Sequence, residues 1–122
     1  MTDSNSPQNS SEQTDDDTEL RLAFYIEKLE TGDVAERWKA AESLARLGDD
    51  RGIDPLLVAL QDEDWRVRQK SAWALGQLGD SRAIEPLLRA MRHERDTVRE
   101  IMEEAVNNIR ARMRGEAIPE LR

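Results

Sequence analysis

A single internal shift organises most of this chain. Displaced against itself by 31 residues, the sequence sets Leu44-x-x-Leu47-Gly48-Asp49 on Leu75-x-x-Leu78-Gly79-Asp80. The same shift sets Ile53-Asp54-Pro55-Leu56-Leu57 on Ile84-Glu85-Pro86-Leu87-Leu88, and it aligns Arg37, Arg68 and Arg99. Carried backwards, it places Leu22, Tyr25, Ile26 and Leu29 on Ile53, Leu56, Leu57 and Leu60. Carried forwards, it places Ala105, Val106 and Ile109 on Ala74, Leu75 and Leu78. A fixed period of this length is the mark of a repeat array, whose units are too small to bury their own apolar faces and must be covered by neighbours.

Each unit carries two helical patterns. The first spans about 34–47 and again 65–78, with Val67, Ser71, Ala74, Leu75 and Leu78 on one face. The second is shorter, with Ile53, Leu56, Leu57 and Leu60 at i, i+3, i+4 and i+7. Gly48 and Gly79 stand where a helix C-terminus takes a left-handed residue, and Pro55 and Pro86 fall in the first turn of the second helix. Asp33 and Asp64 precede the first helices as caps. No segment alternates with period two, so no sheet is expected. The predicted fold is all-α: a right-handed α-solenoid of about three stacked helical hairpins. Residues 20–31 form a lone second-type helix at one end. A longer first-type helix over 96–114 closes the other, with polar Glu103, Glu104, Asn107 and Asn108 on its outer side and Arg110, Arg112 and Arg114 in its last turns.

The charge is uneven. The chain has 26 acids against 18 bases, a net −8. Six acids (Asp3, Glu12, Asp15, Asp16, Asp17 and Glu19) and no base lie in residues 1–19. Residues 1–17 have almost no apolar side chains to offset ordering entropy, so a disordered acidic tail is expected there. It precedes a repeat domain over 18–114 and a C-terminal tail over 115–122. Within that tail, Ala117-Ile118-Pro119-Glu120-Leu121 resembles the start of a further second helix. With 4% aromatic residues, the core must be built from aliphatic side chains.

Asp64-Trp65-Arg66-Val67-Arg68-x-x-Ser71-Ala72-x-Ala74-Leu75-Gly76-x-Leu78-Gly79-Asp80, followed by Ala83-Ile84-x-Pro86-Leu87-Leu88, resembles the short HEAT-like repeat of phycobilisome-lyase (E–Z) type proteins. The resemblance covers about residues 20–114. Tetratricopeptide and ankyrin signatures are absent. The resemblance implies that Asp49, Asp80, Arg68 and Arg99 tie adjacent hairpins together. It also implies that the second helices line a concave, partner-binding face.

On that face the repeats place Leu20, Arg51 and Arg82 at one level, and Phe24, Pro55 and Pro86 at the next. Below these come Glu27, Val58 and Arg89, then Thr31, Asp62 and His93, with Glu30, Gln61 and Arg92 on the flank. The face therefore runs from acidic and apolar to basic. The expected function is a non-catalytic protein-interaction module whose partner carries an acidic segment, with Arg51, Val58, Arg82, Arg89 and Arg92 as contacts. Trp73, off the buried arc, is a further candidate anchor. Trp38 is expected to pack on Phe24 or Tyr25. A self-recognition variant has Asp15, Asp16 and Asp17 visiting the basic end.

Other classes fit less well. HEAT-repeat deoxyhypusine hydroxylases, to which the resemblance extends, use several His-Glu pairs on first helices. This chain has only His93-Glu94, at the end of a second helix, and no cysteine. Neither a metal site nor any other cofactor is expected, and no nucleophile stands beside a base. The alternative reading is an accessory subunit of a cofactor- or chromophore-handling, bilin-lyase-like enzyme. The nearly balanced repeat domain and acidic arm argue against nucleic acid. No run of 18 apolar residues suggests a membrane span. A cytoplasmic monomer or weak dimer is the expectation.

Overall fold

A computed structural model of the chain describes residues 6–116, with side chains described from residue 16 onward. Among the described residues six α-helices follow one another: α1 (Ser6–Thr31), α2 (Val34–Leu47), α3 (Ile53–Ala59), α4 (Trp65–Leu78), α5 (Ile84–Met91) and α6 (Asp96–Met113). No strand occurs among the described residues. The first-type helices α2, α4 and α6 pack side by side, and each second-type helix lies on the first-type helix that follows it. This is the α-solenoid that the period requires.

The helix boundaries follow local chemistry. Asp33 caps α2 in a reciprocal box: its carboxylate accepts from the Glu36 N–H at 2.8 Å, and the Glu36 carboxylate accepts from the Asp33 N–H at 3.0 Å. Gly48 and Gly79 end α2 and α4 at φ +73°, a conformation that costs a side-chain residue strain. Beyond each glycine an aspartate caps a short 3-10 turn, Asp49 over Asp50–Gly52 and Asp80 over Ser81–Ala83, which leads into the second-type helix.

The core is a single aliphatic cluster. Leu44, Ile53, Leu56, Val67, Leu75, Leu87, Met102 and Ile109 are all sealed from solvent, and full burial of each is worth about 1.5–3 kcal/mol. Close approach of α4 and α6 depends on Gly76, where a Cβ would lie 2.9 Å from the Ala105 Cα.

The two tails and Trp38 complete the description. Helix α1 begins at Ser6, so within the expected tail it is continuous with the packed part that follows. Each residue added to an existing helix gains a backbone hydrogen bond without a new nucleation cost, so polar residues can extend it without a core. Residues 1–5 and 117–122, which include most of the expected C-terminal tail, lie outside the described residues. Trp38 is not stacked on Phe24 or Tyr25, which instead pair with each other edge to face at 5.8 Å. The Trp38 ring faces α4, with Lys70 Nζ at 5.9 Å from its centroid.

Candidate functional site

Arginines hold the hairpin junctions together. Arg37, on α2, donates from Nη1 to the Gly32 carbonyl at 2.9 Å, and from Nε and Nη2 to Asp62 at 2.9 and 3.1 Å. It therefore bridges the junction before its helix to the junction after it. Arg68 repeats the device on α4, donating to the Asp62 and Glu63 carbonyls at 2.8 and 3.2 Å and in bidentate fashion to Glu94. The Glu94 side chain is only 8% exposed, so this pair is largely shielded from water. Arg99 is exposed and donates to the Met91 carbonyl at 2.8 Å.

Asp49 and Asp80 act within one hairpin rather than between hairpins. Asp49 accepts from the Arg51 N–H at 2.9 Å and from its guanidinium at 3.0 and 2.8 Å. These bonds, the guanidinium's first, hold the Asp49 carboxyl at about 2, below its ordinary 3.8. Asp80 and Arg82 repeat the arrangement, and the Asp80 carboxyl is lowered for the same reason. A third copy, Asp64 with Arg66, caps α4 and brings the Asp64 carboxyl to about 2. An aspartate two residues before an arginine accepts from the arginine N–H in a short side-chain-to-backbone turn, which brings the guanidinium to the same carboxylate.

The second-helix face carries the predicted contacts in unequal states. Arg51 is engaged by Asp49 and lies 3.7 Å from Glu19 of α1. Arg82 is engaged by Asp80 and lies 3.9 Å from Asp54. Arg89 stands 3.6 Å from Glu85 one turn earlier, both well exposed. Arg92 and His93 are exposed beyond it. Val58 is 73% exposed, and Leu20 and Phe24 join it among the large apolar side chains left open to water. Asp62, read from the repeat as a surface position, is turned inward by Arg37.

Trp73 is not on this face. It is half-buried on α4 against the core, with Lys70 Nζ 5.2 Å from its ring centroid, so Lys70 sits between Trp38 and Trp73. Trp65 is 52% exposed beside a cleft formed with Arg68 and residues 93–98.

Sequence reasoning missed one feature. A groove of about 200 Å³ opens between α1 and α2, lined by Phe24, Tyr25, Lys28, Lys39, Ala40 and Ser43 among others. Its signal lay in the register: Tyr25 occupies the position at which Leu56 and Leu87 are sealed, yet it is only half-buried. Among the described residues no cluster of three potential ligands could hold a metal, and no helix is long and apolar enough to cross a membrane.

The family profile of HEAT repeats matches residues 14–107. The chain belongs to the HEAT-repeat family. A search of curated proteins returns no match to it. HEAT repeats are generally protein-interaction scaffolds, typically without catalysis of their own. In this HEAT-repeat chain the exposed apolar side chains of α1 and α3 and the exposed cations of α5 share the second-helix face, whereas Arg37 and Arg68 of the first-helix layer are held in part-buried structural pairs.

Proposed function

We propose that this HEAT-repeat protein is a non-catalytic interaction module, its functional unit spanning residues 18–114, which binds another protein on the face formed by α1, α3 and α5. One observation carries the reading. Leu20, Phe24 and Val58 remain exposed on the second-type helices, and the same surface continues into Arg89 and Arg92 without a change of layer. An amphipathic partner segment with an apolar half and an acidic half matches that order. Apolar contact supplies affinity, and the charge sets orientation and on-rate.

The contribution of the arginines is graded. Arg51 and Arg82 spend their guanidinium hydrogen bonds on Asp49 and Asp80, so their role is to hold the turn, with little charge left for a partner. Arg89 and Arg92 are the cations this reading assigns to the acidic segment. The Val67-Arg68 and Leu78-Gly79-Asp80 pieces support a repeat of the phycobilisome-lyase type, and the cysteine-free composition supports a cytoplasmic setting.

The test is affinity capture from the native cell with three baits of equal circular dichroism. These are the wild type, an Arg89→Glu/Arg92→Glu variant and a Val58→Glu variant. A protein captured by the wild type, lost by both variants and cross-linked through an acidic segment to α5 supports the reading. Equal capture by all three baits overturns it. A pigment or other small cofactor carried by every bait instead favours accessory service to a cofactor enzyme. Arg82 is left out of the variant because its loss would disturb the turn over Ser81–Ala83.

A further inference from the structure

At each end of the stack, positions that the interior covers with a neighbouring first-type helix have no such neighbour among the described residues. On α4, Val67, Ser71 and Ala74 are buried against the first-type helix before it, and on α6 Val98, Met102 and Ala105 are buried likewise. One period earlier, on α2, the same positions are Glu36, Ala40 and Ser43. No described first-type helix precedes α2, and these residues line the open groove with Tyr25. At the other end, Ala72 and Gly76 of α4, buried against α6, correspond to Glu103 and Asn107 of α6, both exposed.

The end surfaces differ in charge. Lys28 and Lys39 line the groove at the α2 end, and Arg21 and Arg46 line its continuation past Tyr25 and Ser43. The one acid in the groove, Glu36, is held by Lys28 at 3.6 Å and by the Asp33 N–H. The outer side of α6 presents Glu100, Glu103 and Glu104, all exposed.

We propose that this protein associates head to tail with a second copy of itself, α6 of one copy seating in the α1–α2 groove of the next. The register comes from the interior of the chain. There Gly76 of α4 lies opposite Ala105 of α6. The same offset carried across the joint sets Asn107 opposite Ser43 and Glu103 opposite Lys39. The chain contains a related charge pair: Lys70, one period after Lys39, reaches Glu42 on the preceding first-type helix at 3.9 Å, and Glu104, beside Glu103, is the α6 counterpart of Glu42. Such a contact joins two different surfaces, so it extends as a chain with rising concentration rather than closing as a dimer. Phe24, Tyr25 and Ala40 give the groove an apolar lining, and the charged side chains among them make the contact salt-sensitive. The groove shares α1 and Phe24 with the proposed partner face, but self-association is read without any partner, so the two readings fail separately.

Sedimentation velocity on the full chain, over a wide concentration series at low and high salt, tests it. The weight-average mass of the 14.0 kDa chain should rise with concentration at low salt and fall back at high salt. A Lys28→Glu/Lys39→Glu variant and a Glu103→Lys/Glu104→Lys variant, each with unchanged circular dichroism, should stay at monomer mass. Mixing the two should restore association, because a reversed groove then meets a reversed helix. Should one double variant fail to fold, Lys39→Gln reads the same shift at smaller amplitude. A wild-type mass that stays constant across the series overturns the proposal. Association that survives in either variant, or that mixing does not restore, overturns it equally.

Discussion

Helices α4 and α6 occupy the same place in successive repeats, one inside the stack and one at its end. On α4 the positions Ala72, Trp73 and Gly76 meet a neighbouring helix, and on α6 their counterparts are Glu103, Glu104 and Asn107, facing outward. Arg68 reaches forward into the next junction and Arg99 reaches only backward among the described residues. Asp64 caps α4 through the Arg66 N–H, whereas Arg95 precedes α6 with no side-chain cap. Repeat position therefore sets the backbone, and the presence of a neighbour sets the side chain. Residues that look interchangeable by period should differ sharply in energetic weight.

The largest break in that equivalence is expected at Gly76 and Asn107. A Cβ on Gly76 meets backbone at 2.9 Å, so relief requires α4 and α6 to separate. Gly76→Leu should cost about 3 kcal/mol or more, enough to unfold a marginal domain of this size. Asn107→Leu on the exposed counterpart should change stability by no more than about 0.5 kcal/mol. Urea midpoints for the two variants decide the matter. Equal losses would mean that the outer side of α6 is covered in solution.

The arginine rung comes next. Arg68→Ala leaves the shielded Glu94 carboxylate without its partner and two junction carbonyls without a donor. Partial exposure tempers the penalty of a fully buried pair, so the loss should be about 2–3 kcal/mol. Arg99→Ala removes one exposed hydrogen bond to Met91 and should cost about 0.5 kcal/mol or less. Chemical denaturation measures both, and a loss at Arg99 as large as that at Arg68 would refute the distinction.

These contrasts show which parts of the molecule were legible in advance. The period, the apolar faces, Asp33, Gly48 and Gly79 each obey a local rule, and local rules can be read from one strand of text. What failed concerned choices among partners. Asp49 and Asp80 suit a link between hairpins or a local turn equally well as letters. The nearer Arg51 and Arg82 win because closing a two-residue spacing costs less chain entropy. Asp62 and Glu94 are one residue out of register, a slip that hides the common role of Arg37 and Arg68 from any strict 31-residue alignment. The second-helix face was placed by periodicity, and Val58, Arg89 and Arg92 lie open there. Helical phase sets Trp73 off the buried arc but does not show Lys70, whose cation lies between the Trp73 and Trp38 rings.

The slip also leaves α6 with a poor start, and this can be repaired. Arg95 has the extended conformation of a cap residue, φ −136° and ψ 165°, but no acceptor to offer the first turn. The acid stands one place late, at Asp96, whose φ is +54°, a left-handed conformation that non-glycine residues adopt at some cost. Arg95→Asp should add a side-chain acceptor and raise stability by about 0.5–1 kcal/mol, while Asp64→Ala at the working cap should lower it by about 1 kcal/mol. Thermal midpoints of the two single variants should therefore move in opposite directions. Midpoints moving the same way would show that the junction before α6 has relaxed around its arginine.

The smallest effect expected is on acid stability. The Asp49, Asp64 and Asp80 carboxyls are all lowered in the folded chain by arginine hydrogen bonds, the first two to about 2 from an ordinary 3.8. A carboxyl depressed by folding adds stability above its unfolded value, and that stability is lost as pH falls towards the folded one. The contribution is thus intact above about pH 4 and fades between about pH 4 and 2. All three pairs are solvent-accessible, so screening keeps each small. Replacing Asp49 and Asp80 together by Asn should flatten the decline of the thermal midpoint across that window. It should leave the pH dependence above the window unchanged. A decline as steep as the wild type's would show that these local aspartate–arginine pairs do not set the acid sensitivity of the fold.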